Sequence, residues 1–140
     1  DARQVWVREQ AHVAPVEVEG WTASLLRKDV DELTEAKLQG PQVRLLPYFD
    51  SYLLGHRERD HLAAAQHRPS IYRPQGWIAP VILVNGRAAG VWEQARAGDR
   101  LHLKVRGFEP LSRSTLSGIR AAARDLSRFL GLSTAAVEIA

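Results

Sequence analysis

The sequence predicts an α+β fold: a mostly antiparallel sheet or partial β-barrel with a long C-terminal helix and one or two short helices. Three observations point there. Residues 78–84 form an apolar, β-branched run, Asn85-Gly86 suits a two-residue type I′ turn, and residues 87–93 return as a second strand. Leu101, Leu103 and Val105 alternate with His102, Lys104 and Arg106, the period of a strand with one dry face and one wet, basic face. Leu116, Ile119, Ala123, Leu126 and Leu130 recur at spacings of three and four, which is one buried stripe of a helix.

The elements follow in order. Val5-Trp6-Val7 and residues 16–19 predict two short strands, with Val16 and Val18 facing one way and Glu17 and Glu19 the other. Paired carboxylates at that spacing suit acid–base work, but a solvated strand face is the more common meaning. Gly20 makes a turn and residues 21–26 return as a strand. Asp29 predicts an N-cap with Glu32 completing a capping box, and the helix runs to Leu38 before Gly40-Pro41 stops it. Residues 43–46 form a short strand that Pro47-Tyr48-Phe49-Asp50 breaks. Residues 55–66 predict a charged helix, and Pro69, Pro74 and Gly76 an irregular stretch around Ile71-Tyr72. In the hairpin, Leu83 is expected opposite Ala88 and Val81 opposite Gly90. Both hairpin faces are apolar, so both should be covered. Ala97-Gly98-Asp99 makes a further turn. Ser112 or Ser114 caps the last helix and Gly131 ends it, with Arg113, Arg120, Arg124 and Arg128 on another side. Residues 137–139 add an edge strand.

Composition sets the class. The 140 residues are 45% hydrophobic and 25% charged, as in globular chains. No apolar run approaches the ~20 residues of a membrane helix, and no signal-peptide pattern opens the chain, so a cytoplasmic protein without membrane association is expected. The absence of cysteine excludes a disulfide scaffold, a cysteine-liganded zinc site and a cysteine nucleophile. The absence of methionine predicts a piece of a longer protein. The net charge of +3 is unevenly spread: residues 1–70 carry −2 and residues 71–140 carry +5. Sixteen of the 19 cations are arginines, which reflects either a GC-rich genome or a phosphate-binding surface.

Catalytic patterns are sparse. His56, Asp60 and His67 fall within about 40° of one another on a continuous helix, a possible metal set, but Pro69 is close and a salt-bridged surface segment is favoured. No G-x-S-x-G, S-x-x-K or Gly-rich phosphate loop is present. No metal and no cofactor is expected. Asp50, among prolines and aromatics, is either an apolar-walled carboxyl group for acid–base work or, as favoured, a structural acceptor of backbone N–H bonds or a partner of Arg57 or Arg59. Trp6, Trp21, Trp77 and Trp92 are expected in the core, Trp77 with the least support because it follows Gln75-Gly76.

The segments Leu45-Leu46-Pro47-Tyr48-Phe49-Asp50-Ser51-Tyr52-Leu53-Leu54-Gly55, His56-Arg57-Glu58-Arg59, His67-Arg68 and Val84-Asn85-Gly86-Arg87-Ala88-Ala89-Gly90-Val91-Trp92 resemble the C-terminal region of bacterial winged-helix DNA-binding proteins that include the AlkZ-like DNA glycosylases. The resemblance is good over about residues 43–130 and looser over 1–42. The length suits a single domain over residues 1–140, and the resemblance implies that it forms the C-terminal part of a larger, multi-module protein that binds DNA. In the glycosylase members, tandem winged-helix units and this β-rich region enclose damaged duplex, and the N-glycosidic bond of alkylated purines is hydrolysed. Their catalytic Gln-x-Gln or Gln-x-Asp pair lies in the N-terminal part. None of Gln4, Gln10, Gln39, Gln42, Gln66, Gln75 and Gln94 has Gln or Asp two residues on, so no catalytic residue carries over.

The expected role is therefore a domain, not catalytic by itself, that contacts double-stranded DNA weakly and without sequence preference while bracing the missing winged-helix modules. The phosphate contacts expected are Arg87 at the hairpin, Arg96 and Arg100 at the next turn, and Lys104 and Arg106 on the wet strand face. Arg120 and Arg124 on the closing helix are the competing contact. The alternative role is a scaffold or protein-interaction domain with no DNA contact of its own.

Overall fold

Helix α1 spans Ala2–Glu9 in the computed structural model, which describes every residue except Glu19, and of Ala2 the backbone alone. Two units make up the chain, Asp1–Leu38 and Gln39–Ala140. In the first, Val5, Trp6 and Val7 lie in α1 and not in a strand. Asp1 and Gln4 form a reciprocal capping box, the Asp1 side chain accepting from Gln4 N at 3.0 Å. That cap and the helix formers beside it outweigh the β preference of two valines. Three consecutive apolar residues cannot share one helix face, and all three are about half exposed. Strands β1 (Val13–Val18) and β2 (Trp21–Leu26) pair antiparallel, and β1 alternates as expected with Val16 and Val18 inward and Glu17 outward. The expectation for Glu19 lies outside the described residues. Helix α2 (Val30–Glu35) forms, but the Asp29 capping box does not. The chain enters α2 through a 3-10 turn over Arg27–Asp29 that leaves Asp29 itself near helical angles. Ala36 turns extended, so the helix stops short of Leu38.

The second unit is an open five-stranded sheet in the order β3 (Val43–Leu46), β4 (Val81–Val84), β5 (Arg87–Ala97), β6 (Arg100–Gly107), β7 (Thr134–Ile139). Every pairing is antiparallel except β6 with β7. A parallel neighbour needs a crossover, and helix α5 (Arg113–Phe129) supplies it. Ser112 is the cap, its hydroxyl accepting from Thr115 N at 3.1 Å. The expected stripe docks through Ile119 and Ala123 onto Leu101, Leu103, Val105, Ile82 and Trp92, while Leu130 at its end is exposed. Each such aliphatic side chain contributes about 1.5–3 kcal/mol when fully buried. α5 lies so close to β3 that a Cβ on Gly118 would meet Val43 Cγ2 at 2.6 Å.

The hairpin turn is as the sequence predicts: Asn85 and Gly86 both have positive φ, 52° and 81°, as a type I′ turn requires. Leu83 faces Ala88, but Val81 faces Val91 and not Gly90. A β-bulge after the first two pairs shifts the register, and the extra residue, Ala89, gives its carbonyl to Phe108 N at 2.9 Å. Gly90 then runs against β6, where a Cβ would lie 2.4 Å from Arg106 O.

Residues 55–66 are not a helix. Helix α3 (Ser51–Leu54) stops at Gly55, and helix α4 (Arg68–Ile71) follows a 3-10 turn. The carbonyls between them are committed elsewhere: Leu62 O accepts from Ala88 N at 2.7 Å, Asp60 O from Arg87 and Ala63 O from Arg68. A helix would need those same carbonyls for its own amides. Residues 53–78 instead press Leu53, Ala63, Ile71 and Ile78 onto Val81 and Leu83, so both hairpin faces are covered.

Candidate nucleic-acid interface

Strand β6 carries the expected alternation in full, with Leu101, Leu103 and Val105 buried and Arg100, His102, Lys104 and Arg106 exposed. On that wet face the neighbours decide the electrostatics. Lys104 stands opposite Glu93 on β5 and opposite Glu138 on β7. Two exposed carboxylates flank one ammonium, so the row is locally negative. Arg106 faces Val91 and has no acid opposite.

The other cations sit at the ends of the ladder. Arg96 Nε donates to Gly98 O at 3.0 Å and Arg100 Nε to Thr134 Oγ1 at 3.3 Å. Asp99 between them is taken by Ser133, which bonds it through both backbone and hydroxyl. Arg87 begins β5, and its Nη2 donates to Asp60 O at 3.3 Å. Arg87 and Arg96 are nine residues apart on one strand, about 30 Å at the rise of a strand. The five residues are therefore all exposed but do not converge on one patch.

The hairpin tip is held from outside. Asn85 exchanges bonds with Gln42, its N donating to Gln42 O at 3.0 Å and its Oδ1 accepting from Gln42 N at 2.8 Å. Tyr52 OH donates to Gly86 O at 3.0 Å. These partners lie 43 and 34 residues away, and no local pattern signals them.

Asp50 caps α3, accepting from Tyr52 N at 2.9 Å. Arg57 pairs with Glu58 instead, and Arg59 lies over the Tyr72 ring at 3.9 Å. Burial pushes the Tyr72 phenol above its usual value, with the charges of Arg59 and Arg68 pulling the other way, and its OH donates to Leu53 O at 3.1 Å. His56, Asp60 and His67 do not converge. His56 meets His61 ring to ring, Asp60 pairs with Arg68, and His67 stacks on Phe108 beside Glu109. Among the described residues no group of three or more His, Cys, Asp or Glu is arranged to hold a metal ion. Among the described residues, no helix is long and apolar enough to cross a membrane.

Of the four tryptophans only Trp92 is core, with its Nε1 donating to Leu46 O at 2.9 Å. Trp6 and Trp77 are about half exposed and Trp21 more than a third. Trp77 meets Phe49 and Tyr48, at centroid distances of 5.2 and 6.0 Å, in an exposed aromatic cluster. Phe49 and Gln75 hold positive φ in the two loops that build it. The Gln75-Gly76 turn is the sequence signal that separates Trp77 from the core.

A model of the DNA glycosylase AlkZ-like family matches residues 1–129. The interstrand DNA cross-link repair glycosylase of Streptomyces sahachiroi is 35% identical over 125 residues, which cover 89% of this chain and 32% of that protein. The solved structure of Streptomyces sahachiroi DNA glycosylase AlkZ aligns with 99% of this chain and 36% of its own, with a TM-score of 0.79 and 32% identity. The chain thus spans about a third of the length of these relatives. Match, identity and fold agree that the chain belongs to the AlkZ-like DNA glycosylase family.

Proposed function

We propose that the chain is the C-terminal region of a cytoplasmic DNA-repair glycosylase, acting as one domain that holds duplex DNA by its phosphates and braces winged-helix modules elsewhere in the protein. The observation that carries this reading is the likeness of nearly the whole chain to about a third of a DNA glycosylase. The glutamine pair that implies hydrolysis is absent from these 140 residues, so the chain by itself forms no abasic sites. Phosphate contacts come from Arg87, Arg96, Arg100, Lys104 and Arg106. Arg106 contributes most, because no acid opposes it, and Lys104 least, because Glu93 and Glu138 flank it.

A second reading, a scaffold without DNA contact, is favoured by the bonds that already engage Arg87, Arg96 and Arg100. Titrating an undamaged duplex at several salt concentrations separates the two. Three to five phosphate contacts give a slope of log K against log salt of roughly −3 to −4, and replacing Lys104 and Arg106 with alanine lowers it by up to about 1.8. Absence of salt-sensitive binding at low ionic strength leaves the scaffold reading. Abasic sites above a heat-killed control on alkylated duplex would overturn the non-catalytic assignment.

A further inference from the structure

Four exposed arginines on α5 take no part in the strand surface just described. At 100° and 1.5 Å per residue, Arg113, Arg120, Arg124 and Arg128 fall within about 80° of arc and about 22 Å of axis. The other residue in that arc is Ser117, so the stripe holds no apolar anchor of the kind a protein-docking helix presents. Asp125 is the sole acid of α5, and it pairs with Arg128. Among the described residues, Arg113, Arg120 and Arg124 have no side-chain partner.

Arg128, in the last turn, suits the helix dipole, but the rest of this placement works against the helix itself. Arg120, Arg124 and Arg128 follow one another at i, i+4 spacing, where like charges repel. Arg113 is the first helical residue, at the positive end of the helix dipole, and the first turn has no acid. A helix arranged only for its own stability would do the reverse. A polyanion laid along the stripe removes both penalties. A duplex is a rod of that kind, with about thirteen phosphate charges over 22 Å.

We infer that the outer face of α5 is a second phosphate-binding surface for duplex DNA, resting on the reading of the chain as DNA-binding. It is separate from the surface that carries Lys104 and Arg106. α5 covers the sheet face formed by Leu101, Leu103 and Val105, and Lys104 and Arg106 project from the opposite face. One straight duplex meets one face or the other.

The test uses the 140-residue chain and an undamaged 20-base-pair duplex titrated across salt. In a Lys104→Ala, Arg106→Ala background, which weakens the opposite face, Arg120→Ala with Arg124→Ala lowers the slope of log K against log salt by about 1.8, whereas Arg120→Lys with Arg124→Lys preserves it, since phosphate contact needs the charge. The side chains are exposed, so thermal midpoints should not fall. Salt-sensitive binding by the parent chain with an unchanged slope in the alanine variant overturns the inference and leaves the DNA reading standing. No salt-sensitive binding by the parent chain overturns both. Competition by polyglutamate as strong as that by duplex, charge for charge, assigns the stripe to an acidic protein and rejects DNA.

Discussion

The two faces of the five-stranded sheet are closed in different ways. On one, a single 17-residue helix lays Ile119 and Ala123 along β4, β5 and β6. On the other, Leu53, Ala63, Ile71 and Ile78 arrive from a segment whose only α-helices are two four-residue turns. That cover reaches Val81 and Leu83 and leaves the face wet over β6. The helix satisfies its backbone locally and leaves its outer surface open to charge. The irregular cover relies on long-range bonds, such as Arg87 Nη2 to Asp60 O at 3.3 Å and Ala88 N to Leu62 O at 2.7 Å. Local closure leaves a surface free for a partner, and long-range closure ties the cover to the hairpin beneath it.

The strongest way to sharpen this contrast is to open each face in turn. Ile119 and Leu53 are both fully buried, so Ile119→Ala and Leu53→Ala should each cost about 2–5 kcal/mol in urea unfolding. Their signatures should differ in amide exchange. Leu53→Ala should release the amides of residues 60–72 below the global unfolding free energy, and Ile119→Ala should leave them protected up to that limit. The same exchange pattern in both variants breaks the comparison.

A smaller effect is expected at the entrance to the irregular cover. Asp50 caps a helix of only four residues, so Asp50→Ala should cost about 0.5–2 kcal/mol, and Asp50→Asn should recover most of it. Loss of an activity of the whole protein at unchanged melting temperature would instead make Asp50 a functional carboxylate.

The smallest effect is at Tyr72, also in that cover. Its phenol is held protonated above the usual range, chiefly by burial. The unfolded chain releases this proton first, near pH 10, so the contribution is intact below that pH and is lost as pH rises through the folded value. Tyr72→Phe removes the titration along with the bond to Leu53 O. The stability gap between the parent chain and this variant should therefore narrow between about pH 8 and about pH 11, as read from urea midpoints. A constant gap places the Tyr72 phenol at an ordinary value.

Much of the fold was legible because its strongest signals are local. Asn85-Gly86 needs only two positive φ angles, the β6 alternation a period of two, and α5 a stripe with a Ser112 cap. Where one local signal met another, the stronger local term won: the Asp1–Gln4 capping box made a helix of Val5-Trp6-Val7. The motif over residues 45–55 and the hairpin motif, on which the resemblance to the family rested, meet where Tyr52 OH donates to Gly86 O. The candidate site was legible only as a list of exposed cations.

By itself, the sequence determined which residues are periodic, which turns accept left-handed backbone, and which half of the chain is basic. The tertiary structure alone decided the bulge at Ala89, the unwound course of residues 55–66, and the exposure of Trp6 and Trp77. It also decided that Lys104 lies between Glu93 and Glu138 while three arginines of α5 form no ion pair among the described residues. The physical reason is one of range. Propensity and periodicity act within a few residues, whereas the field at a cation depends on strand register and on which carbonyls the fold has already engaged.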